Sequence, residues 1–146
     1  MRTSVMGVFL VGLLGCGNVP GPKSTDISSD SIPTLSDRIT YLNEYVAFRR
    51  SYQALDFHIR FRNGGDGMIP SPSEWDIRIV AVVPPEELTK WIPLGVTATP
   101  TAERQWLESV PHADRAVGIR EWYVSNNKVV GVDRESSVVA YRLWTR

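Results

Sequence analysis

The sequence predicts an α+β domain: a mainly antiparallel sheet of about five strands with helices packed on one face. Residues 55–62 alternate apolar and polar side chains without interruption, which is typical of a strand with one buried and one solvated face. Residues 35–52 instead repeat apolar side chains at helical spacing. The last third of the chain contains three short strand-like runs separated by polar turns, and such turns favour antiparallel neighbours.

The predicted elements follow one another along residues 34–146, which we expect to form a single globular domain. The helix over about residues 35–52 can use Thr34 or Ser36 as its N-cap. Its apolar stripe consists of Leu35, Ile39, Leu42 and Val46. After the strand at residues 55–62, the chain should form a more central strand at 75–83, helices at about 84–91 and 101–109, and strands at about 119–124, 129–133 and 137–144.

The N-terminus has the layout of an export signal. Arg2 supplies a positive charge, and residues 5–14 then contain no charged side chain. A permanent membrane span needs about 20 apolar residues. Gly15, Gly17 and Pro20 interrupt this run well before that length. We therefore expect residues 1–15 to be a signal peptide that is removed.

Residues 13–16 read Leu-Leu-Gly-Cys, directly after the apolar run. This motif resembles the lipobox of bacterial lipoproteins, and the resemblance covers residues 1–17. It implies that Cys16 receives a diacylglyceryl group, that the signal is cut before it, and that the freed amine is acylated. Two or more acyl chains anchor a protein stably. The alternative is an ordinary secretory signal cleaved near Gly15 or Gly17, with Cys16 incidental.

Residues 16–33 are predicted to be a lipid-anchored flexible tether, because they are rich in Pro, Gly, Ser and Asp and contain few apolar side chains. A flexible chain of this length spans roughly 20–25 Å and would hold the domain clear of the bilayer. By resemblance to enterobacterial lipoproteins, Gly17 after the cysteine favours the outer membrane, on its periplasmic side, if the organism is Gram-negative. The expected location is thus the cell envelope.

The composition argues against several classes of partner. The whole chain carries 16 basic and 16 acidic side chains, so loss of Arg2 with the signal leaves a charge near −1. That balance does not suit nucleic acid. Cys16 is the only cysteine, which leaves no internal disulfide. We expect no cofactor and no metal site, because the chain lacks a phosphate loop and a calcium loop.

The connection at residues 63–73 reads NGGDGMIPSPS and is the first candidate contact surface. Its glycines allow backbone N–H groups to approach an anion, and Asp66 could face a cation. A wide hairpin connection is the simpler interpretation. Because binding residues concentrate on loops held by a rigid scaffold, Asp66 and Met68 are nevertheless predicted to belong to a binding surface.

The polar positions of the strand at residues 55–62 are the second candidate. They are Asp56, His58, Arg60 and Arg62, and should point to one side of the sheet. The simpler interpretation is a solvated face with cross-strand ion pairs to Asp76 and Arg78. If that face is partly covered, the same groups would form a recognition patch for an acidic partner. The catalytic alternative is that His58 acts as a general base and is oriented by Asp56 or Asp76.

Most of the five tryptophans should lie in the core, because large aromatic side chains dominate cores. Trp106 and Trp144 are the two expected to contact a partner, since tryptophan is enriched at interface hot spots. His112 and Asp114 lie two positions apart, but two ligands do not make a metal site, and a surface loop is the simpler interpretation.

These observations favour a non-catalytic binding module on a lipid anchor, with a protein partner in the envelope. An inhibitor, an immunity-type protein or an accessory of an envelope complex would fit, by analogy with small lipoproteins that protect a cell from delivered toxins. One alternative is a periplasmic hydrolase-type enzyme, which requires His58 and Asp66 or another carboxylate to converge in a deep pocket. The other is a structural envelope lipoprotein, which predicts a broad apolar surface.

Overall fold

The computed structural model describes residues 23–66, 68–69 and 71–145. This part of the chain contains one antiparallel sheet of six strands in the order β1-β2-β3-β6-β5-β4. The strands are β1 (Thr25–Ser28), β2 (Ala54–Arg62), β3 (Glu74–Val82), β4 (Glu121–Ser125), β5 (Lys128–Asp133) and β6 (Val138–Trp144). One α-helix, α1 (Leu35–Leu42), is joined by several short 3-10 helices. The predicted α+β class with a mainly antiparallel sheet is confirmed.

α1 and β2 form the main core on one face of the sheet. Leu55, Phe57 and Ile59 point to this face and are at most 1% exposed, as the alternation predicts. The helix ends at Leu42, well before the predicted residue 52. Val46 is still buried in the same core, so the apolar spacing indicated burial correctly but overestimated the length of the helix.

β1 lies inside the segment that was predicted to be tether. Thr25 pairs with Phe61 on β2, and Ser24 Oγ accepts the N–H of Asn63 at 2.9 Å. The domain thus includes residues before the predicted start at residue 34, and that boundary was wrong. Four residues with a single apolar side chain, Ile27, are too short a pattern to indicate a strand. Residues 1–22, with the predicted signal peptide and Cys16, lie outside the described residues.

The opposite face of the sheet is covered in part by residues 105–116, which form the 3-10 helices Gln105–Ser109 and Ala113–Ala116. Their side chains build a second core around Trp122. A Cβ on Gly131 of β5 would stand 2.6 Å from the Trp122 ring, so this close packing requires glycine. The described α-helix therefore lies on one face, whereas these short helices lie on the other.

A further 3-10 helix, Pro85–Trp91, corresponds to the helix predicted after the central strand at residues 75–83. It places Leu88 and Trp91 in the main core, on the same face as α1. Among the described residues, no helix is long and apolar enough to cross a membrane.

The loop end of the sheet is the end at which residues 63–73 connect β2 to β3. At the loop end, β2 finishes beside the start of β3, so that Arg62 pairs with Glu74, and β6 finishes with Trp144 beside Asp76. β1 begins at this same end, which is also where residues 63–73 connect β2 to β3. The opposite end carries the start of β6 at Val138.

Candidate functional site

A charged groove lies at the loop end of the sheet, on the face opposite α1. Its volume is about 480 Å³. The side chains that give it its chemistry are Asp26, Arg60, Arg62, Asp76, Arg142 and Trp144. Neither α1 nor residues 105–116 line it, so this part of the sheet is left open.

Asp76 accepts three side-chain hydrogen bonds at the groove. Its Oδ2 accepts a hydrogen bond from Arg78 Nη2 at 2.5 Å, and Arg142 donates to the carboxylate through Nε and Nη2, each at 3.0 Å. Burial opposes ionisation, but the hydrogen bonds and charges of the two arginines outweigh it, and the pKa of Asp76 lies below its ordinary value. Arg142 also stacks 4.6 Å from the centre of the Trp144 ring. Little ordering entropy would be lost when a ligand meets these side chains.

Arg60 and Arg62 supply the exposed cations of the groove. The Arg60 side chain is 60% exposed and its Nε lies 3.5 Å from Asp26 Oδ2. Arg62 is exposed and makes no ion pair with any residue that the structure describes. Glu74 is exposed directly across from Arg62. A ligand in the groove would therefore meet both signs of charge beside a half-buried indole ring.

His58 does not join Asp56 or Asp76. Its Nε2 lies 2.8 Å from Asp26 Oδ1 on β1. Ser28 is its register partner, but Ser28 Oγ accepts the N–H of Asp30 at 3.5 Å, and no hydrogen bond between Ser28 and the imidazole occurs in the described structure. Within the described residues, His58 on β2 is thus bonded to Asp26 on the neighbouring strand β1.

Asp56 was expected on a solvated face, and that expectation was wrong, because its side chain is 0% exposed. Its Oδ1 accepts from Arg38 Nη1 at 2.8 Å and its Oδ2 from Arg115 Nη1 at 2.5 Å. His112 Nδ1 lies 3.2 Å from Oδ1. The backbone of His112 is left-handed, with a φ of 53°, just before the 3-10 helix that carries Arg115. Asp56 thereby ties α1 and residues 112–115 to β2.

Arg38 reaches Asp56 around the edge of β2 that β1 leaves open. Its Nη1 also donates to the backbone carbonyl of Leu55 at 3.1 Å, and Ser29 Oγ accepts the N–H of Phe57 at 3.0 Å. These bonds satisfy backbone groups that would otherwise be exposed at a sheet edge. The Asp56 cluster (Asp56, Arg38, Arg115 and His112) is therefore a structural clamp.

Comparison with known proteins gives no family for this chain. No family model, no curated protein and no solved structure matches it. Among the described residues, no group of three or more His, Cys, Asp or Glu is placed to hold a metal ion.

The loop at residues 63–73 is closed at its base. Ser71 N–H donates to the Gly64 carbonyl at 2.9 Å, and a Cβ on Gly64 would stand 1.6 Å from the Ser71 carbonyl oxygen. Glycine is therefore required at residue 64 by a close backbone approach. Met68 and Ile69 lie between Gly64 and Ser71 in the chain and are 104% and 83% exposed. The side chain of Asp66 lies outside the described structure.

The two tryptophans expected at a contact surface have different positions. Trp144 lines the charged groove. Trp106 is 5% exposed, its Nε1 donates to the Glu103 carbonyl at 3.1 Å, and it belongs to the second core, so its assignment to a binding surface was wrong. The spacing of apolar residues around Trp106 did not reveal that residues 105–116 fold back onto the sheet.

Arg142 and Asp76 were missed as a pair. Both occupy polar positions on strands that turned out to be neighbours, but Arg142 lies 66 residues after Asp76. In the sequence, this pair was indicated only by the polar position of Arg142 on the last predicted strand. Pairing it with Asp76 required the order of strands in the sheet, which the sequence did not indicate.

Proposed function

We propose that this chain is a lipoprotein of the bacterial cell envelope, acylated on Cys16, whose domain is a non-catalytic binding module. The supporting evidence at the N-terminus is the sequence of residues 13–16, which follows an uncharged run and resembles a lipobox. A Gram-negative origin would favour the periplasmic side of the outer membrane. A partner protein in the envelope is the expected ligand, in an inhibitory, immunity-type or accessory role.

The charged groove is the observation that supports a binding role most directly. It combines a half-buried tryptophan, Trp144, with a pre-ordered pair, Asp76 and Arg142, and with two exposed arginines. Tryptophan and arginine are the residues most enriched among interface hot spots. The hydrolase alternative receives less support, because His58 is paired with Asp26, whose side chain is 64% exposed, and does not line the charged groove.

The groove suits a polypeptide segment better than a small molecule. It is open and carries Arg60 and Arg62 close to Glu74, so that a segment with acidic side chains flanking a basic one would complement it. Near-zero net charge again disfavours nucleic acid, whose binding depends on many basic side chains.

Two variants with the same change of charge test the binding role. Arg62→Glu alters the groove, whereas Arg120→Glu alters an exposed arginine near the opposite end of the sheet, just before β4. We expect an envelope protein to be captured in stoichiometric amount by the wild type and by Arg120→Glu, and to be lost with Arg62→Glu. Equal capture by both variants, or none by the wild type, would contradict the proposal.

The anchor has an independent test. Cys16→Ser should abolish incorporation of radioactive palmitate and leave the signal uncleaved at residue 15, because no other thiol is available to take the lipid. Labelling that persists in Cys16→Ser would show that the lipid is attached elsewhere or that the resemblance to a lipobox is misleading.

A further inference from the structure

We propose that the loop end of the sheet rests on the membrane, with Met68 and Ile69 inserted into the interfacial layer of the bilayer. The inference depends on the proposed acylation of Cys16. It assigns these two side chains to lipid contact and gives the domain a definite orientation towards the bilayer.

The first argument is where the described chain begins. Lys23 and Ser24 lie at the loop end, because Ser24 Oγ accepts the N–H of Asn63 and β1 then runs away from that end. Only residues 17–22 separate Cys16 from Lys23. Even fully extended, this chain reaches at most about 25 Å. Because β1 belongs to the domain, Lys23 at the loop end must lie within this distance of the lipid on Cys16.

The second argument is the nature of the loop tip. Met68 and Ile69 are adjacent, apolar and 104% and 83% exposed, and their loop starts at Asn63, beside Ser24. The hydrogen bond between Gly64 and Ser71 closes the base of the loop that carries these two side chains. Apolar side chains that project from the anchored end of a domain can be withdrawn from water by the interfacial layer of a bilayer.

The charges around the tip decide which lipid is required. Lys23, Arg60 and Arg62 are exposed cations at this end, and Glu74 and Asp26 are exposed acids beside them, with Arg60 paired to Asp26. Because the acids offset most of the positive charge, the contact is mainly apolar and depends only weakly on anionic lipid and on salt. A zwitterionic bilayer therefore suffices. In this orientation the charged groove lies close to the headgroups, so the proposed partner would bind near the membrane surface.

Site-directed spin labelling of the acylated, full-length chain tests the inference. Acylation leaves no free thiol, so Met68→Cys or, separately, Ile69→Cys introduces a unique labelling site. Val117→Cys is the matched control: Val117 is 80% exposed and adjoins Gly118, where an added Cβ would stand 2.7 Å from Asp133 Oδ2 at the opposite end of the sheet. The labelled proteins are reconstituted into dioleoylphosphatidylcholine vesicles, and collisions with oxygen and with a water-soluble nickel chelate are measured.

Labels at residues 68 and 69 should collide with the nickel chelate several-fold less often than the label at residue 117, and more often with oxygen. The ratio should change only slightly when anionic phosphatidylglycerol or salt is added. Equal accessibility at all three positions in protein that floats with the vesicles would overturn the membrane contact while leaving the anchor intact. Protein that neither floats nor carries the acyl mass would contradict the anchor itself, and the inference with it.

Discussion

Replacing Asp56 by Asn tests whether this single buried carboxylate holds residues 112–115 and α1 against the sheet. The substitution keeps the size of the side chain but removes the charge that faces Arg38 and Arg115, and it turns one acceptor into an amide donor. The clamp joins α1, β2 and residues 112–115, so its loss should weaken the contact between the sheet and the second core.

The magnitude follows from burial. Breaking a buried ion pair by removal of one partner costs about 3–5 kcal/mol. Here the carboxylate is 0% exposed, but the side chains of Arg38 and Arg115 are 19% and 34% exposed, so water solvates them in part. We expect Asp56→Asn to lower the free energy of unfolding by about 2–4 kcal/mol. For a domain of this size the melting temperature should fall by roughly 10 °C.

Urea unfolding followed by tryptophan fluorescence provides the measurement, with Asp26→Asn as the control. The Asp26 side chain is 64% exposed and also pairs with a basic partner, so its loss should cost less than about 1 kcal/mol. A double-mutant cycle with Arg115→Gln should give a coupling energy of about 1 kcal/mol or more. The clamp would be refuted if Asp56→Asn cost no more than Asp26→Asn, or if the Asp56 and Arg115 changes were additive.

Three further changes have expected outcomes. The folded-state pKa of Asp76 lies below its unfolded value of 3.8, so the stabilisation is complete above that value and decreases as the pH falls through the folded pKa. Asp76→Asn should therefore flatten the loss of stability in acid, measured by urea midpoints, and an unchanged slope would contradict this. Gly131→Ala should destabilise the domain by about 1–3 kcal/mol, with a change in near-ultraviolet circular dichroism, because its Cβ would overlap Trp122; a neutral result would show that the ring moves freely. Gly64→Ala should speed proteolysis at residues 63–73, whereas Gly65→Ala, whose Cβ would meet only a flexible side chain at 3.3 Å, should not.

The elements that the sequence predicted well are those whose patterns are local. The strict alternation of residues 55–62 follows from a sheet with two different faces and was found as β2. Thr34 caps α1 as expected, since its Oγ1 accepts the N–H of Asp37 at 3.1 Å. The three last strands follow from short polar turns between apolar runs and appear as β4, β5 and β6.

The elements that the sequence did not predict depend on contacts between distant residues. β1 has one apolar side chain and exists because it adds to the edge of β2. Asp56 has the same outward position as Arg60, yet it is buried because residues 112–115 fold over it and Arg38 reaches it around the sheet edge. No periodicity within one segment can report which other segment will cover it.

By itself, then, the sequence determined the α+β class, most of the strands and the motif at Cys16, because periodicity and short motifs are local properties of the chain. Only the tertiary structure decided that the polar face is divided between the Asp56 clamp and an open charged groove. It also placed the start of β1 beside residues 63–73. Both results arise from the order of strands in the sheet, which brings together side chains as distant as Asp76 and Arg142.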